Sequence, residues 1–533
     1  VLAPVAAMAS EPHSVEINDK NFPDARFQAY VKDFDKGGDG SLSSDEIAVV
    51  TQIDVQGRDI SDLTGIEYFT ALTHLYCYNN DLTSLNVSGC TALTSLYCYN
   101  NDLTSLNVSG CTELETLMCY NNQLTSLDVS DCTALTYLEC YNNDLTSLNV
   151  SQNTKLEMLY CYDNDLTTLD ASDLTVLKRL RCYKNGLTSL DVSGCTALTH
   201  LNCNNNDLTS LDVSDLTALG ELICNSNQLT SLDVSGCMAL TYLECNSNQL
   251  ASLDVSGCTA LTYLYCHENK LTTLDVSHCT ELDTLYCSDN QLTSLDVSEN
   301  AALVELYCSD NQLTSLDVSK NTALGWLYCS ANQLTSLDVS ENARLGSLDC
   351  SDNQLTSLDV SGCTELRELY CSGNQLTSLD VSNNAALEWL DCFGNQLTSL
   401  DVLQNTALIV LDCSNNQLTS LDVSKNENMA WLICRDQNVL LEVERRPDDT
   451  WSADLAERVA GWKEHFENIE ANPKEVWDET TDTVAWSKGT VRPTVTYDFD
   501  TGYKDNNVPV KMNVTLTLVP LGVGTEADVT AAA

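Results

Sequence analysis

A cysteine spacing of 21 residues constrains this 533-residue chain more than any other feature. From Cys77 to Cys434 a cysteine recurs at this spacing without a slip, which defines 18 consecutive coils. The segment Leu-Thr-Ser-Leu-Asp-Val-Ser also returns nearly once per coil, as at residues 418–424. A unit this short cannot bury its apolar side chains alone, so neighbouring units must stack and share one core. We assign the array to residues 72–437.

Each coil carries the same pattern twice. Residues 72–80 (LTHLYCYNN) and residues 82–90 (LTSLNVSGC) both follow the form LxxLxLxxN, with cysteine replacing the last asparagine in the second half. At a period of 20–29 residues this is the leucine-rich-repeat signature, and the nested form resembles the IRREKO class of bacterial leucine-rich repeats. Inward Leu, Cys and Val alternate with outward residues. These features predict a β-rich leucine-rich-repeat solenoid with parallel strands on both sides of each coil.

Polar residues occupy two columns of the expected core. All 26 cysteines fall at the Cys77 position of each coil or at the Cys90 position of eight coils. Because they replace inward Leu or Asn, we predict buried free thiols rather than disulfides, and no CxxC-like spacing indicates zinc. Asn follows three residues after each first-column cysteine, from Asn80 to Asn416, before Gln437 breaks the column. Buried amides must be hydrogen-bonded, so we expect an asparagine ladder.

The segment that precedes the array, residues 14–71, is predicted to be a helical cap followed by a degenerate first coil. The helical spacing of Phe27, Tyr30, Val31 and Phe34 supports the helix. Residues 15–24 (VEINDKNFPD), 50–55 (VTQIDV) and 60–69 (ISDLTGIEYF) resemble, in this order, the cap of internalins and related bacterial surface proteins. The resemblance implies an extracellular binding protein whose partner is a protein on a host or neighbouring cell.

A loop inside the cap carries oxygen-bearing side chains at calcium-loop spacing. Aligned to an EF-hand, Asp35 takes position 1, Asp39 position 5, Ser41 supplies the carbonyl of position 7, and Glu46 takes position 12. Gly37 at position 3 brings no side-chain ligand. A weak calcium site is one interpretation, and a turn whose Ser43 caps a helix is the other. No other cofactor is expected.

The two ends of the chain carry different signals. Residues 1–13 begin with an apolar run ending in Ala7-Met8-Ala9, which indicates a signal-peptide remnant and linker, and hence secretion or surface association. No later run of about 18 apolar residues predicts a membrane span. Residues 438–533 predict an α+β segment, with a helix over Ser452–Ile469 and strands at Thr494–Phe499 and Met512–Val519. This segment is either a C-terminal cap or a truncated Ig-like module.

Charge and the outward residues bear on function. The net charge of −52 repels nucleic acid and anionic membranes, so we expect no nucleic-acid partner and no membrane insertion. The second-half strands repeat outward Ser and Asp almost unchanged, whereas the first-half strands vary and carry most tyrosines. A variable aromatic face suits recognition, although stacked tyrosines also stabilise a sheet. The predicted contact residues are Tyr78, Tyr99, Tyr120, Tyr141, Tyr160, Tyr162, Arg179, Arg181, Tyr183, Trp326 and Trp389.

We therefore expect a non-catalytic extracellular binding or adhesion protein that recognises a protein partner through this face. The coil around Cys182 stands out because Lys178, Arg179, Arg181 and Lys184 lie within seven positions of an acidic chain. The six histidines are scattered, and no pairing of a nucleophile with a base indicates an enzyme. A glycan-binding surface protein and a purely structural spacer rod are the alternatives.

Overall fold

The computed structural model describes residues 14–445, 450–454, 466–472, 477–478, 483–487, 494–505 and 508–520. The chain divides into two compact units, Val1–Leu271 and Thr272–Ala533. Both units contain stacked coils of the same type, ten in the first and eight in the second. The predicted β-rich leucine-rich-repeat solenoid is confirmed.

The cap of the first unit is built from short elements. Helix Ala25–Val31 begins at Asp24, whose carboxylate accepts from the N–H groups of Arg26 and Phe27. Helix Ser44–Ala48 begins with a capping box between Ser43 and Glu46. The remaining elements are strands Val15–Glu16 and Ser41–Leu42, which pair antiparallel, 3₁₀ turns Lys32–Phe34 and Ile66–Tyr68, and strand Gln52–Asp54.

The residues just before the array have the geometry of an array coil. Strand Gln52–Asp54 pairs in parallel register with the first array strand, so that Ile53 faces Leu75. The side chain of Asn80 closes this coil, because its Oδ1 accepts from the N–H of Ile60 at 2.9 Å and its Nδ2 donates to the carbonyl of Val55 at 2.8 Å. The cap thereby covers the first apolar end of the array with residues of array-like geometry.

One three-residue strand precedes each first-column cysteine, and equivalent residues of neighbouring strands pair in parallel. In the first unit these strands are His74–Tyr76, Ser95–Tyr97, Thr116–Met118, Tyr137–Glu139, Met158–Tyr160, Arg179–Arg181, His200–Asn202, Glu221–Ile223, Tyr242–Glu244 and Tyr263–Tyr265. In the second unit they are Thr284–Tyr286, Glu305–Tyr307, Trp326–Tyr328, Ser347–Asp349, Glu368–Tyr370, Trp389–Asp391, Val410–Asp412 and Trp431–Ile433.

The opposite side of the coils pairs more sparsely than predicted. Regular strands occur there only as two parallel pairs among the described residues, Ser84–Asn86 with Ser105–Asn107 and Thr168–Asp170 with Ser189–Asp191. Other coils form single bridges, such as the one between Asp212 and Asp233. The same inward pattern is kept, because the Leu residues of the second halves and the Val, or Ala171 in one coil, that follows them remain buried.

All 26 cysteines are buried and free, as predicted. Burial raises the pKa of the Cys308 thiol to about 12 and that of the Cys111 thiol to about 11. The asparagine ladder is also confirmed. Nδ2 of Asn101 donates to the carbonyls of Cys77 and Cys98, each at 3.1 Å, while its Oδ1 accepts from the N–H of Leu82 at 3.1 Å. Each rung therefore ties two coils together through one side chain.

The second polar column has an incomplete hydrogen-bond pattern wherever it contains asparagine. Nδ2 of Asn153 donates to the carbonyls of Val129 and Cys132, but its Oδ1 is buried without a partner among the described residues. The thiol of Cys111 donates to the equivalent carbonyl, that of Val87, at a sulfur–oxygen distance of 3.4 Å. Cysteine and asparagine can replace each other in this column because both side chains donate a hydrogen bond to the same carbonyl. Asparagine also buries an unpaired Oδ1 acceptor, which costs free energy of folding.

The described residues of the C-terminal segment form strands, in contrast to the expected α+β segment. The predicted helix over Ser452–Ile469 is wrong where it is described, since Thr450–Asp454 and Phe466–Asn472 are strands and residues 455–465 lie outside the described residues. The two predicted strands are confirmed as Thr494–Asp505 and Val508–Pro520, which pair antiparallel. The other strands are Gln437–Arg445, Trp477–Asp478 and Thr483–Ser487.

Candidate partner-binding face

The candidate face consists of the outward residues of the strands that precede the first-column cysteines, together with the residue that follows each cysteine. In-register pairing places equivalent residues side by side, so that Tyr160 neighbours Arg181 and Arg179 neighbours His200. The face thus forms columns whose chemistry changes from coil to coil. In the first unit it contains nine of the predicted contact residues, whereas Trp326 and Trp389 belong to the second unit.

Six of the predicted contact tyrosines form a continuous stack. Their neighbouring ring centroids lie 4.3–4.4 Å apart with interplanar angles of 7–11°. The stacked residues are Tyr78, Tyr99, Tyr120, Tyr141, Tyr162 and Tyr183. Each ring is half-buried, and burial raises the pKa of the Tyr99 and Tyr162 hydroxyls to about 12. The stack stabilises the sheet and also presents a rigid aromatic edge to solvent.

Beside this stack, Arg181 covers Tyr160. The guanidinium carbon of Arg181 lies 5.0 Å from the centroid of the Tyr160 ring, which packs edge-on against Tyr137. Tyr160 is only 9% exposed, so it supports Arg181 rather than offering open surface of its own. Burial raises the pKa of the Glu139 carboxyl, although the hydroxyl of Tyr137 donates to it and Arg181 lies nearby.

The coil around Cys182 is the basic spot of the first unit. Lys178, Arg179, Arg181 and Lys184 are all exposed. Only Lys178 forms an ion pair among the described residues, with Glu157 at 2.7 Å. Three exposed cations that form no ion pair among the described residues therefore stand next to Tyr162 and Tyr183 on a chain that is otherwise strongly acidic. Arginine beside tyrosine is the composition of interface hot spots.

The second unit exposes large indoles on the same type of column. Trp326 is 43% exposed and Trp389 is 39% exposed, and both begin array strands. Trp431, which was not among the predicted contact residues, is the most exposed of the three at 63%. It begins the last array strand, and its position in the same column as Trp326 and Trp389 was available from the sequence.

The opposite side of the coils is a regular acidic surface. Asp233 accepts from both the N–H and the hydroxyl of Ser235, at 3.0 and 2.7 Å. These hydrogen bonds lower its pKa, even though the neighbouring Asp212 and Asp254 act in the opposite direction. At Asp233, hydrogen bonding by the serine thus outweighs the repulsion from the neighbouring carboxylates and favours the ionised form.

The cap loop uses its carboxylates for internal hydrogen bonds. Asp35 accepts from the N–H groups of Gly38 and Gly40, and Asp39 accepts from the N–H of Ser41. Glu46 accepts from the N–H and hydroxyl of Ser43 and from two further N–H groups, which lowers its pKa to about 2. Over the described residues, no three His, Cys, Asp or Glu side chains are grouped as metal ligands. The calcium site stays a prediction.

A column of residues with left-handed backbone conformation was not predicted from the sequence. The residue two positions after each first-column cysteine has a positive φ in all 18 coils, from Asn79 at 56° to Asp436 at 58°. The preference for Asn, Asp and Gly at this position was the signal, since these residues tolerate the left-handed region. Ala331, Lys184 and Glu268 adopt the same conformation without that tolerance.

Comparison with known proteins identifies the family to which this chain belongs. The family model described as leucine-rich repeats (2 copies) matches residues 343–384 and 386–426. The solved functional domain of InlJ from Listeria monocytogenes, described as including a cysteine ladder, is 31% identical with a TM-score of 0.59. The similarity covers 96% of this chain and 100% of that domain. The chain belongs to the internalin-like leucine-rich-repeat proteins.

Two further bacterial proteins are similar to this internalin-like protein over part of its length. Internalin J from Listeria monocytogenes serotype 4b (strain F2365) is 37% identical over 68 residues, which is 13% of this chain and only 7% of that protein's length. YopM from Yersinia enterocolitica WA-314 is 27% identical with a TM-score of 0.58, covering 69% of this chain and 79% of that one. In the described part of the chain, no helix combines the length and apolar character needed to cross a bilayer.

Proposed function

We propose that this internalin-like protein is a non-catalytic extracellular binding module that recognises a protein partner through the first-half strands. The observation that carries the proposal is the basic coil at 178–184, where exposed cations that form no ion pair in the described part of the chain adjoin a rigid tyrosine stack. The relationship to internalin J supports a binding or adhesion role in general. The apolar run at residues 1–9, together with this relationship, supports a position outside the cell.

Charge complementarity indicates the chemistry of the partner surface. Arg179 and Arg181 are exposed on adjacent outward positions of one strand, and a carboxylate-bearing surface would supply ion-pair partners for both. Tyr162 and Tyr183 would then provide contact area at low conformational cost, because their rings are already held by stacking. Arg181 is itself held over Tyr160, which reduces the entropy lost on binding.

The test uses the full chain as bait for surface proteins of host and neighbouring cells. The affinity of the captured protein is then measured for the parent chain and for the double variant that carries Arg181→Ala and Tyr162→Ala. We expect affinity to fall by more than about 2 kcal/mol if both side chains are anchors. Lys320→Glu is a control, because Lys320 is an exposed cation outside the candidate face. Unchanged affinity of the double variant would place the protein-binding site elsewhere.

A further inference from the structure

A groove in the second unit lies beside the start of the array strands and includes Trp326 of the candidate face. The groove has a volume of about 720 Å³ and is lined by Gly325, Gly346, Trp326, Arg344, Thr364 and Glu365, among others. This volume lies within the range of roughly 300–1,000 Å³ for small-molecule sites. It is separate from the tyrosine stack and the basic coil, which belong to the first unit.

Two glycines open the groove without serving the backbone. Neither Gly325 nor Gly346 has a positive φ. A Cβ on Gly325 would lie 3.9 Å from Val304, and one on Gly346 would lie 3.6 Å from the carbonyl of Gly325, both ordinary contacts. Most coils carry a side chain at this position, four residues before the cysteine. The fold does not require glycine here. The absence of side chains at these two positions therefore mainly leaves the space above the strands open.

The floor of the groove offers no free backbone donors or acceptors at these glycines. The N–H of Gly325 donates to Val304 at 2.9 Å, and the N–H of Gly346 donates to the carbonyl of Gly325 at 2.8 Å. The carbonyl of Gly346 accepts from Arg367 and Glu368 at 2.8 and 3.1 Å. A flat ring could approach this floor closely, but its polar groups would have to be met by side chains at the rim.

The rim combines an exposed indole with both donors and acceptors. Trp326 is 43% exposed. Arg344 and Glu365 are exposed and form no ion pair within the described residues, whereas Arg367 pairs with Glu388. Glu368 is held in place by the hydroxyl of Ser347 at 2.9 Å, which in turn contacts the hydroxyl of Tyr328 at 2.9 Å. Hydroxyl groups of a ligand could therefore donate to carboxylates and accept from the guanidinium.

We propose that this groove binds a neutral saccharide, with one sugar ring stacked on Trp326 and its hydroxyls bonded to Arg344 and Glu365. The C–H groups of a sugar ring suit the negative face of an indole. The local charges are mixed, which matches a neutral ligand with many hydroxyls. The net charge of −52 opposes an anionic ligand, and the two arginines at the rim disfavour a cationic peptide.

The test titrates the full chain with neutral hexose oligosaccharides of the gluco-, manno- and galacto- types, followed by calorimetry and tryptophan fluorescence. We expect binding that Trp326→Ala weakens at least about tenfold and that Gly346→Leu abolishes by filling the groove. Gly220→Leu is the matched control, because Gly220 occupies the same position in a coil without a neighbouring tryptophan. Arg181→Ala should leave saccharide binding unchanged, which separates this site from the protein-binding site.

Three results would overturn the proposal: no binding to any neutral oligosaccharide, binding that Gly346→Leu leaves intact, or binding confined to an acidic peptide or an acidic sugar. Circular dichroism verifies that each variant is folded. If Gly346→Leu does not fold, Trp326→Ala still decides the outcome, because that side chain is exposed and forms no part of the core.

Discussion

The backbone N–H of Leu418 donates to Oε1 of Gln437 at 2.9 Å, and Nε2 of the same side chain donates to the carbonyl of Cys413 at 2.9 Å. Asn416 makes the equivalent bonds one coil earlier, to the N–H of Leu397 and to the carbonyl of Cys392. The hydrogen-bond ladder therefore extends one coil beyond the last asparagine of the column. The longer side chain serves as the final rung and closes the last coil.

Replacing this rung should destabilise the end of the array. Gln437→Ala leaves the N–H of Leu418 buried without a partner and removes one of the two side-chain donors to the carbonyl of Cys413, the other being Asn416, which we expect to cost about 1–3 kcal/mol. Hydrogen exchange should show faster exchange at residues 413–437 than in the parent chain. Gln396→Ala is the control, because Gln396 is exposed. Equal protection in both variants would show that the rung contributes nothing.

The left-handed column predicts a stabilising substitution. Ala331 has a φ of 51°, a conformation that costs an L-residue about 1–2 kcal/mol. The same position is glycine in two later coils, Gly373 and Gly394. After the entropy lost from the unfolded chain is subtracted, we expect Ala331→Gly to raise stability by about 0.5–1 kcal/mol. A urea titration measures this, and Ala323→Gly, at a position without positive φ, should instead lower the midpoint.

The buried thiols predict an all-or-none reactivity. All the cysteines are buried, and burial raises the pKa of thiols such as that of Cys308 to about 12, so few thiolates form at neutral pH. We expect almost no reaction with a thiol reagent in the native chain and about 26 reactive groups after denaturation. If half or more of the cysteines remained unreactive in denaturant until a reductant was added, the free-thiol interpretation would be contradicted.

The pKa of Glu46 predicts an acid-sensitive cap. Its folded value of about 2 lies below the ordinary 4.5, mainly because Ser43 donates to the ionised carboxylate. The stabilisation is therefore complete above about pH 4.5 and is lost as the pH falls toward 2. Amide exchange at residues 36–43, corrected for its intrinsic pH dependence, should show protection at pH 5 that declines at pH 3. Glu46→Gln should remove this difference, whereas Asp45→Asn, an exposed neighbour, should retain it.

Calcium binding by the cap loop is tested by thermal unfolding at low salt. If Asp35, Asp39, Ser41 and Glu46 bind the ion as the loop alignment predicts, millimolar calcium should raise the melting temperature of the parent chain. Asp39→Asn should reduce the increase, and magnesium should produce a smaller one. An increase that survives in Asp39→Asn points instead to the aspartate column around Asp233. A melting temperature unaffected by calcium would refute the cap-loop site.

The sequence alone determined the architecture, because a strict period of 21 places residues with the same inward or outward direction next to each other in every coil. Leu75, Cys77 and Asn80 could be assigned to the core on that basis, and each is buried. Charge also identified the basic coil at Arg179 and Arg181. These assignments depend only on strand alternation and on the repeat, which act within one coil and its neighbour.

Only the tertiary structure decided which outward residues remain accessible. Tyr160 points outward by alternation, yet Arg181 from the next coil covers it. The groove beside Trp326 exists because Gly325 and Gly346, 21 residues apart, lie side by side and leave one continuous space. Gln437 became a ladder rung because its extra methylene still reaches the N–H of Leu418. Such outcomes depend on side-chain length and on contacts between coils, which periodicity does not specify.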